Sequence, residues 1–185
     1  MMVDRPTGSR RQAAILALGL MVAFSAAAAA QVRAPEPTPD STTETFGDWT
    51  VVCAAPRPGS SERVCEVGIT MSLRGQAAPI ARIAFGRQAN DKPMRIVALV
   101  PPNVSIGPGV TISPEPGKPG MALVYKTCVP RGCVADADLG KDQVQSLRNR
   151  PKPGQIAFMD ATGKPMTLEL PFKGLDEALD ALAKR

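Results

Sequence analysis

Val64-Cys65-Glu66-Val67-Gly68-Ile69-Thr70-Met71 alternates from Cys65 onward, with apolar Cys65, Val67, Ile69 and Met71 separated by Glu66, Gly68 and Thr70. A period of two is the signature of a half-buried strand. Gly68 inside the run points to a β-bulge there. Trp49-Thr50-Val51-Val52-Cys53, upstream, is a second β-rich run. Downstream lie residues 80–85, residues 94–100, Val110-Thr111-Ile112 and Met121-Ala122-Leu123-Val124-Tyr125. Residues 94–100 are apolar enough for a central strand. Pro101-Pro102, Gly107-Pro108-Gly109, Pro114, Pro116-Gly117 and Pro119-Gly120 punctuate the series as turns. Short strands at this spacing predict an antiparallel β-sandwich, not βαβ units.

The last third mixes elements. Residues 138–148 fit a short helix with Leu139, Val144 and Leu147 near one face. Residues 155–159 and 166–170 fit a hairpin around Asp160-Ala161-Thr162-Gly163. Leu175, Ala178, Leu179 and Leu182 recur at helical spacing, with Asp176 and Glu177 in the first turn and Lys184 and Arg185 at the end. This amphipathic helix is expected to pack on the sandwich. The aromatic residues Phe46, Trp49, Phe85, Tyr125, Phe158 and Phe172 fall singly in strand-like runs and read as core.

The N-terminus is a targeting segment. Arg5, Arg10 and Arg11 precede an apolar stretch at 13–26, and Ala28-Ala29-Ala30 offers a cleavage site before Gln31. Residues 1–30 are therefore expected to be a cleaved signal peptide. Ser9-Arg10-Arg11 resembles a twin-arginine signal, but Ala13 stands where a bulky apolar residue is usual, which favours the general secretory route. Residues 31–45, rich in Pro, Thr and acid, read as a disordered tether, and residues 46–185 as one domain. No apolar stretch after the signal is long enough to span a membrane. Cleavage removes Asp4 and three arginines and lowers the net charge from +5 to +3. So mild a charge gives no reason to expect nucleic acid as a partner.

The chain has four cysteines and no histidine. An even count behind an export signal reads as two structural disulfides. Four cysteines allow three connectivities, and spacing favours local pairs, Cys53 with Cys65 and Cys128 with Cys133. Structural zinc prefers ligand pairs with two to four residues between them, which only Cys128-x4-Cys133 satisfies. Neither pair has the Cys-x-x-Cys spacing of thiol-exchange enzymes. Val129-Pro130-Arg131-Gly132 is a turn sequence, and a disulfide around it would hold Arg131 out as a rigid cation, available to an acidic partner group.

Without histidine there is no Ser-His-Asp or Cys-His set, and no P-loop or Ser-x-x-Lys spacing occurs. No cofactor is implied. Asp136 and Asp138, two residues apart, read as a helix N-cap, with a weak cation site as the alternative. A pocket grouping them with a lysine would favour an enzyme that works without histidine. Arg148, Arg150 and Lys152 read as a solvated basic loop that could also meet an anionic surface.

Taken in order, Phe46-Gly47-Asp48-Trp49-Thr50-Val51-Val52-Cys53, then Cys65, then Cys128-Val129-Pro130-Arg131-Gly132-Cys133, then Pro171-Phe172-Lys173-Gly174-Leu175-Asp176-Glu177-Ala178-Leu179 form a set of landmarks. The set resembles the invasion-associated locus B (IalB) family of exported bacterial proteins, across residues 46–185. The resemblance implies an immunoglobulin-like β-sandwich in the periplasm or at the outer membrane. It implies no catalytic residues. It also implies a link to host-cell invasion in the pathogens that gave the family its name. The expectation is a non-enzymatic periplasmic or envelope binding or structural protein, its partner an envelope protein or host surface component. A host-cell invasion or adhesion factor is the alternative.

Overall fold

Alternation in the sequence becomes alternation of burial in the strands. The structure, a computed structural model, describes residues 41–56, 63–73, 75, 78–87 and 93–185. The expected signal peptide at 1–30, residues 31–40 of the tether and the loop tip at 57–62 lie outside the described residues. In chain order the strands are β1 (Ser41–Phe46), β2 (Trp49–Ala54), β3 (Cys65–Ser72), β4 (Pro79–Gly86), β5 (Met94–Val100), β6 (Val110–Ser113), β7 (Met121–Val129) and β8 (Gly132–Leu139). Helix α1 (Lys141–Leu147), the hairpin β9 (Gly154–Met159) and β10 (Pro165–Leu170), and helix α2 (Leu175–Ala183) follow.

The fold is mainly β with a C-terminal helix and two disulfides, as expected. Its layering differs from two separate sheets. All ten strands join one antiparallel sheet in the order β1-β2-β3-β4-β5-β8-β7-β6-β9-β10. Strand β7 makes the corner. Its residues Met121 and Leu123 pair with β6, whereas Val124 to Val129 pair with β8. A register shift between Tyr125 and Thr127 bends the strand where it passes from one neighbour to the other. Hydrogen bonding is therefore unbroken, and the sheet curls into a half-barrel around one core.

That core takes Trp49, Val67, Ile83, Phe85 and Ile96 from β2 to β5, Ala135 from β8, and Ile112, Leu123, Ile156, Phe158 and Leu170 from β6, β7, β9 and β10. Phe46 and Tyr125 pack at its margin. Leu175, Ala178, Leu179 and Leu182 are all buried, and α2 packs against β1, β2 and β3. Trp49 Nε1 donates to the Pro171 carbonyl at 3.0 Å, and the Asp48 amide donates to Lys173 O at 3.0 Å. These bonds tie the start of β2 to the segment that leads into α2.

Three local expectations are corrected. Ser41 to Thr45, read as the end of the tether, belong to β1, which pairs with β2 along its full length. Residues 132–139 form β8, so the helix expected at 138–148 is reduced to α1, with Gly140 at its N-cap. Gly68 sits in regular register, and the β3 irregularity lies between Met71 and Ser72. What Gly68 provides is clearance, since a Cβ there would stand 2.9 Å from Arg82 Nη2.

Gly174 starts α2 with φ +86°, and a Cβ on it would overlap the Phe46 carbonyl. Gly163 in the β9–β10 turn has nearly the same φ, +81°, with open space around it. Gly163→Ala is expected to destabilise by about 1 kcal/mol, from backbone conformation alone, and Gly174→Ala by about 3 kcal/mol, since steric overlap is added. Urea unfolding of the two variants checks this, and equal losses would show that the seam has room to relax.

Candidate functional site

Both disulfides bridge residues directly opposite each other on neighbouring antiparallel strands. Cys53 and Cys65 are register partners on β2 and β3, with Cα atoms 4.0 Å apart. Beside them the Arg185 guanidinium lies 3.5 Å from Cys53 Sγ and pairs with Glu44 of β1 at 2.6 Å, closing the end of α2 over the bridge. Cys128 and Cys133 are register partners on β7 and β8, also 4.0 Å apart. The second bridge sits one residue pair behind a hairpin tip, where Val129 pairs with Gly132 and Pro130 and Arg131 form the turn.

That tip is pressed onto the end of β5. A Cβ at Gly132 would overlap the Val100 carbonyl and stand 2.9 Å from Leu99 Cδ1. Glycine alone permits this approach, and the disulfide keeps the hairpin from opening. Arg131 is exposed and, among the described residues, has no ion pair or hydrogen bond partner. It forms one wall of a groove of about 310 Å³ between residues 79–82 of β4 and residues 99–102 at the end of β5. Pro79, Ile80, Leu99, Pro101 and Pro102 make the lining largely apolar. Arg82 also reaches the groove, but its charge is matched by Glu66 at 2.5 Å. The unbalanced charge at the groove belongs to Arg131.

Asp136 and Asp138 do not cap a helix. They lie on the outer face of β8, in register with Val97 and Arg95 of β5. Arg95 Nε donates to Asp138 at 3.0 Å, and Arg95 Nη1 stands 3.7 Å from Asp136. Lys126 of β7 approaches Asp136 from the other side at 3.6 Å. The Asp138 hydrogen bond, reinforced by both carboxylate charges against a smaller effect of burial, raises the Arg95 pKa. The two acids are thus grouped with a lysine, but as a cross-strand ion-pair ladder in which the carboxylates already face cations. Among the described residues, no three His, Cys, Asp or Glu side chains converge as metal ligands.

The basic loop divides. Arg148 is bound to Asp180 at 2.9 Å and Asp176 at 3.6 Å on α2. Arg150 Nε donates to Ser146 O, and Arg150 and Lys152 border a second groove of about 430 Å³, walled by Pro114, Pro116, Pro151 and Pro153. Arg148 is therefore part of the helix packing, and only its two neighbours remain as surface cations. Sequence reasoning missed both grooves, because their walls come from segments far apart in the chain.

A half-barrel with a side-chain-filled inner face, two cross-strand staples and an exposed cation on a clamped hairpin tip defines a small disulfide-stabilised β module. Comparison then places it. The profile of the family described as invasion associated locus B (IalB) protein matches residues 49–183, and the chain belongs to that family. Invasion protein B homologues of Brucella abortus strain 2308 and of Brucella abortus biovar 1 strain 9-941 are each 24% identical to it over 170 residues. Each alignment covers 90% of this chain and 94% of the relative. The crystal structure of invasion associated protein B from Bartonella henselae superposes with a TM-score of 0.65 at 23% identity. That match covers 77% of this chain and 95% of the other, and shows a shared fold. Family membership makes this an exported protein of the bacterial envelope.

Proposed function

We propose that the chain works in the periplasm as a binding or structural protein of the cell envelope, and that Arg131 meets an acidic group on its partner. The observation that carries this is the exposed Arg131, unpaired among the described residues, on a hairpin tip held by the Cys128–Cys133 bridge. Because the backbone of the tip is already held, binding has only the Arg131 side chain left to order. The reading includes a cleaved signal at residues 1–30, and association with the outer membrane as its finer form. No described helix is long and apolar enough to cross a membrane. We read the half-barrel as a relative of the immunoglobulin-like sandwich, its corner made by a strand that serves both layers.

The test is chemical cross-linking in intact cells, followed by recovery of the chain and its attached proteins. The wild-type chain is expected to retain an envelope protein that Arg131→Ala retains about tenfold less. Recovery of nothing above background from the wild type would sink the binding reading. The names of the Brucella and Bartonella proteins favour a second reading, a host-cell invasion or adhesion factor. A deletion strain that enters host cells at the normal rate would remove it.

A further inference from the structure

We infer that the groove beside Arg131 takes an extended peptide segment in which a bulky apolar side chain stands next to a carboxylate. This deepens the binding function proposed above and rests on it. Three physical features select the ligand. The first is size, since about 310 Å³ is at the lower end of the roughly 300–1,000 Å³ usual for ligand sites and accommodates one or two side chains. The second is lining. Ile80 and Leu99 give the groove an apolar bed, and Pro79, Pro101 and Pro102 stiffen its rim, so an apolar side chain enters without reorganising the walls.

The third is charge. Glu66 neutralises Arg82, so among the described residues Arg131 is the groove cation without an ionic partner. A guanidinium is a planar fork that accepts a carboxylate through two parallel hydrogen bonds. The occupant therefore carries one carboxylate close to its apolar group. An anionic membrane recruits clusters of about 4–8 basic residues, and single-stranded nucleic acid needs aromatic rings to stack on. Among the described residues the groove has a single unpaired cation and no ring in its lining, so a peptide fits it better than either.

The experiment is an NMR titration of the oxidised chain with acetylated, amidated pentapeptides Ser-Gly-X-Glu-Gly, X being leucine, isoleucine, phenylalanine or methionine. The same peptides with glutamine for glutamate are the controls. At least one glutamate peptide is expected to shift the amides of Ile80, Leu99 and Arg131, and its control to bind about tenfold more weakly. Arg131→Gln should bring the same tenfold loss, and Arg131→Lys should keep part of the affinity. Arg131 is exposed, so these variants remain folded. Absence of binding by all four peptides, equal binding of the controls, or shifts that map elsewhere would overturn the inference. So would phosphatidylglycerol vesicles that move the same amides while the peptides do not. Cross-linking separates the two levels. A partner retained equally by wild type and Arg131→Gln leaves a binding protein whose contact lies elsewhere, whereas no partner at all ends both readings.

Discussion

Reducing both disulfides lowers the unfolding free energy by about 5 kcal/mol, roughly 3 from the Cys53–Cys65 bridge and roughly 2 from Cys128–Cys133. The difference follows from the sequence separations of 12 and 5 residues, because a longer closed loop removes more freedom from the unfolded chain. Small domains have only about 5–15 kcal/mol in all, so the reduced chain stands near its folding limit. Its melting temperature should fall by about 15 °C. Thermal unfolding with and without reductant measures this, and an unchanged midpoint would mean that the bridges only decorate a sheet already fixed by its packing. The two bridges also differ in what they hold. Replacing Cys53 and Cys65 by alanine loosens β2 against β3 and the Arg185 contact at the end of α2. Replacing Cys128 and Cys133 has the smaller effect on stability and frees the tip that carries Arg131. Stability and peptide binding should therefore respond oppositely to the two double variants.

Strands and helices that alternate strongly were legible, and those defined by their neighbours were not. Strands β2 to β6, residues 121–125 of β7 and the β9–β10 hairpin are marked by their own short apolar or alternating runs, and α2 by its buried stripe. Strand β8 does not. Its inner face is Cys133, Ala135 and Ala137 and its outer face carries Asp136 and Asp138, residues of weak strand preference. Arg95 and Lys126 on the adjoining strands give those acids their place, and no local pattern reveals that. β1 is similar, a threonine-rich edge strand with little to bury, held by its pairing with β2. The curl of the sheet depends on β5–β8 and β6–β9 pairing across long stretches of chain, beyond the range of periodicity. At the candidate site, the turn holding Arg131 was readable because its cysteines, Pro130 and Gly132 are contiguous. Its apolar bed was not, since Ile80 and Leu99 meet Arg131 only after folding.

Trp49→Ala is expected to destabilise the oxidised chain by about 4 kcal/mol. Trp49 is fully buried at the first position of β2, and its ring lies 5.5 Å from that of Phe85. Truncation empties the space where the start of β2 meets Phe85 and the segment before α2, and relaxation there is limited because the Asp48 amide still binds Lys173 O. A second loss is separable. Trp49 Nε1 donates to the Pro171 carbonyl, and Trp49→Phe keeps most of the apolar ring while leaving that carbonyl without its donor. The phenylalanine variant should lose about 2 kcal/mol, mostly from the unpaired acceptor and the smaller ring. Urea unfolding followed by circular dichroism measures both, since Trp49 is the chain's one tryptophan and its own fluorescence is lost. A loss below 1 kcal/mol for Trp49→Ala would show that the seam between β2 and α2 does not depend on the indole. Cys53 lies four residues further along β2, roughly 13 Å away, so the two effects should add, and Trp49→Ala in the reduced state combines losses of about 4 and 5 kcal/mol, comparable with the whole stability of many small domains.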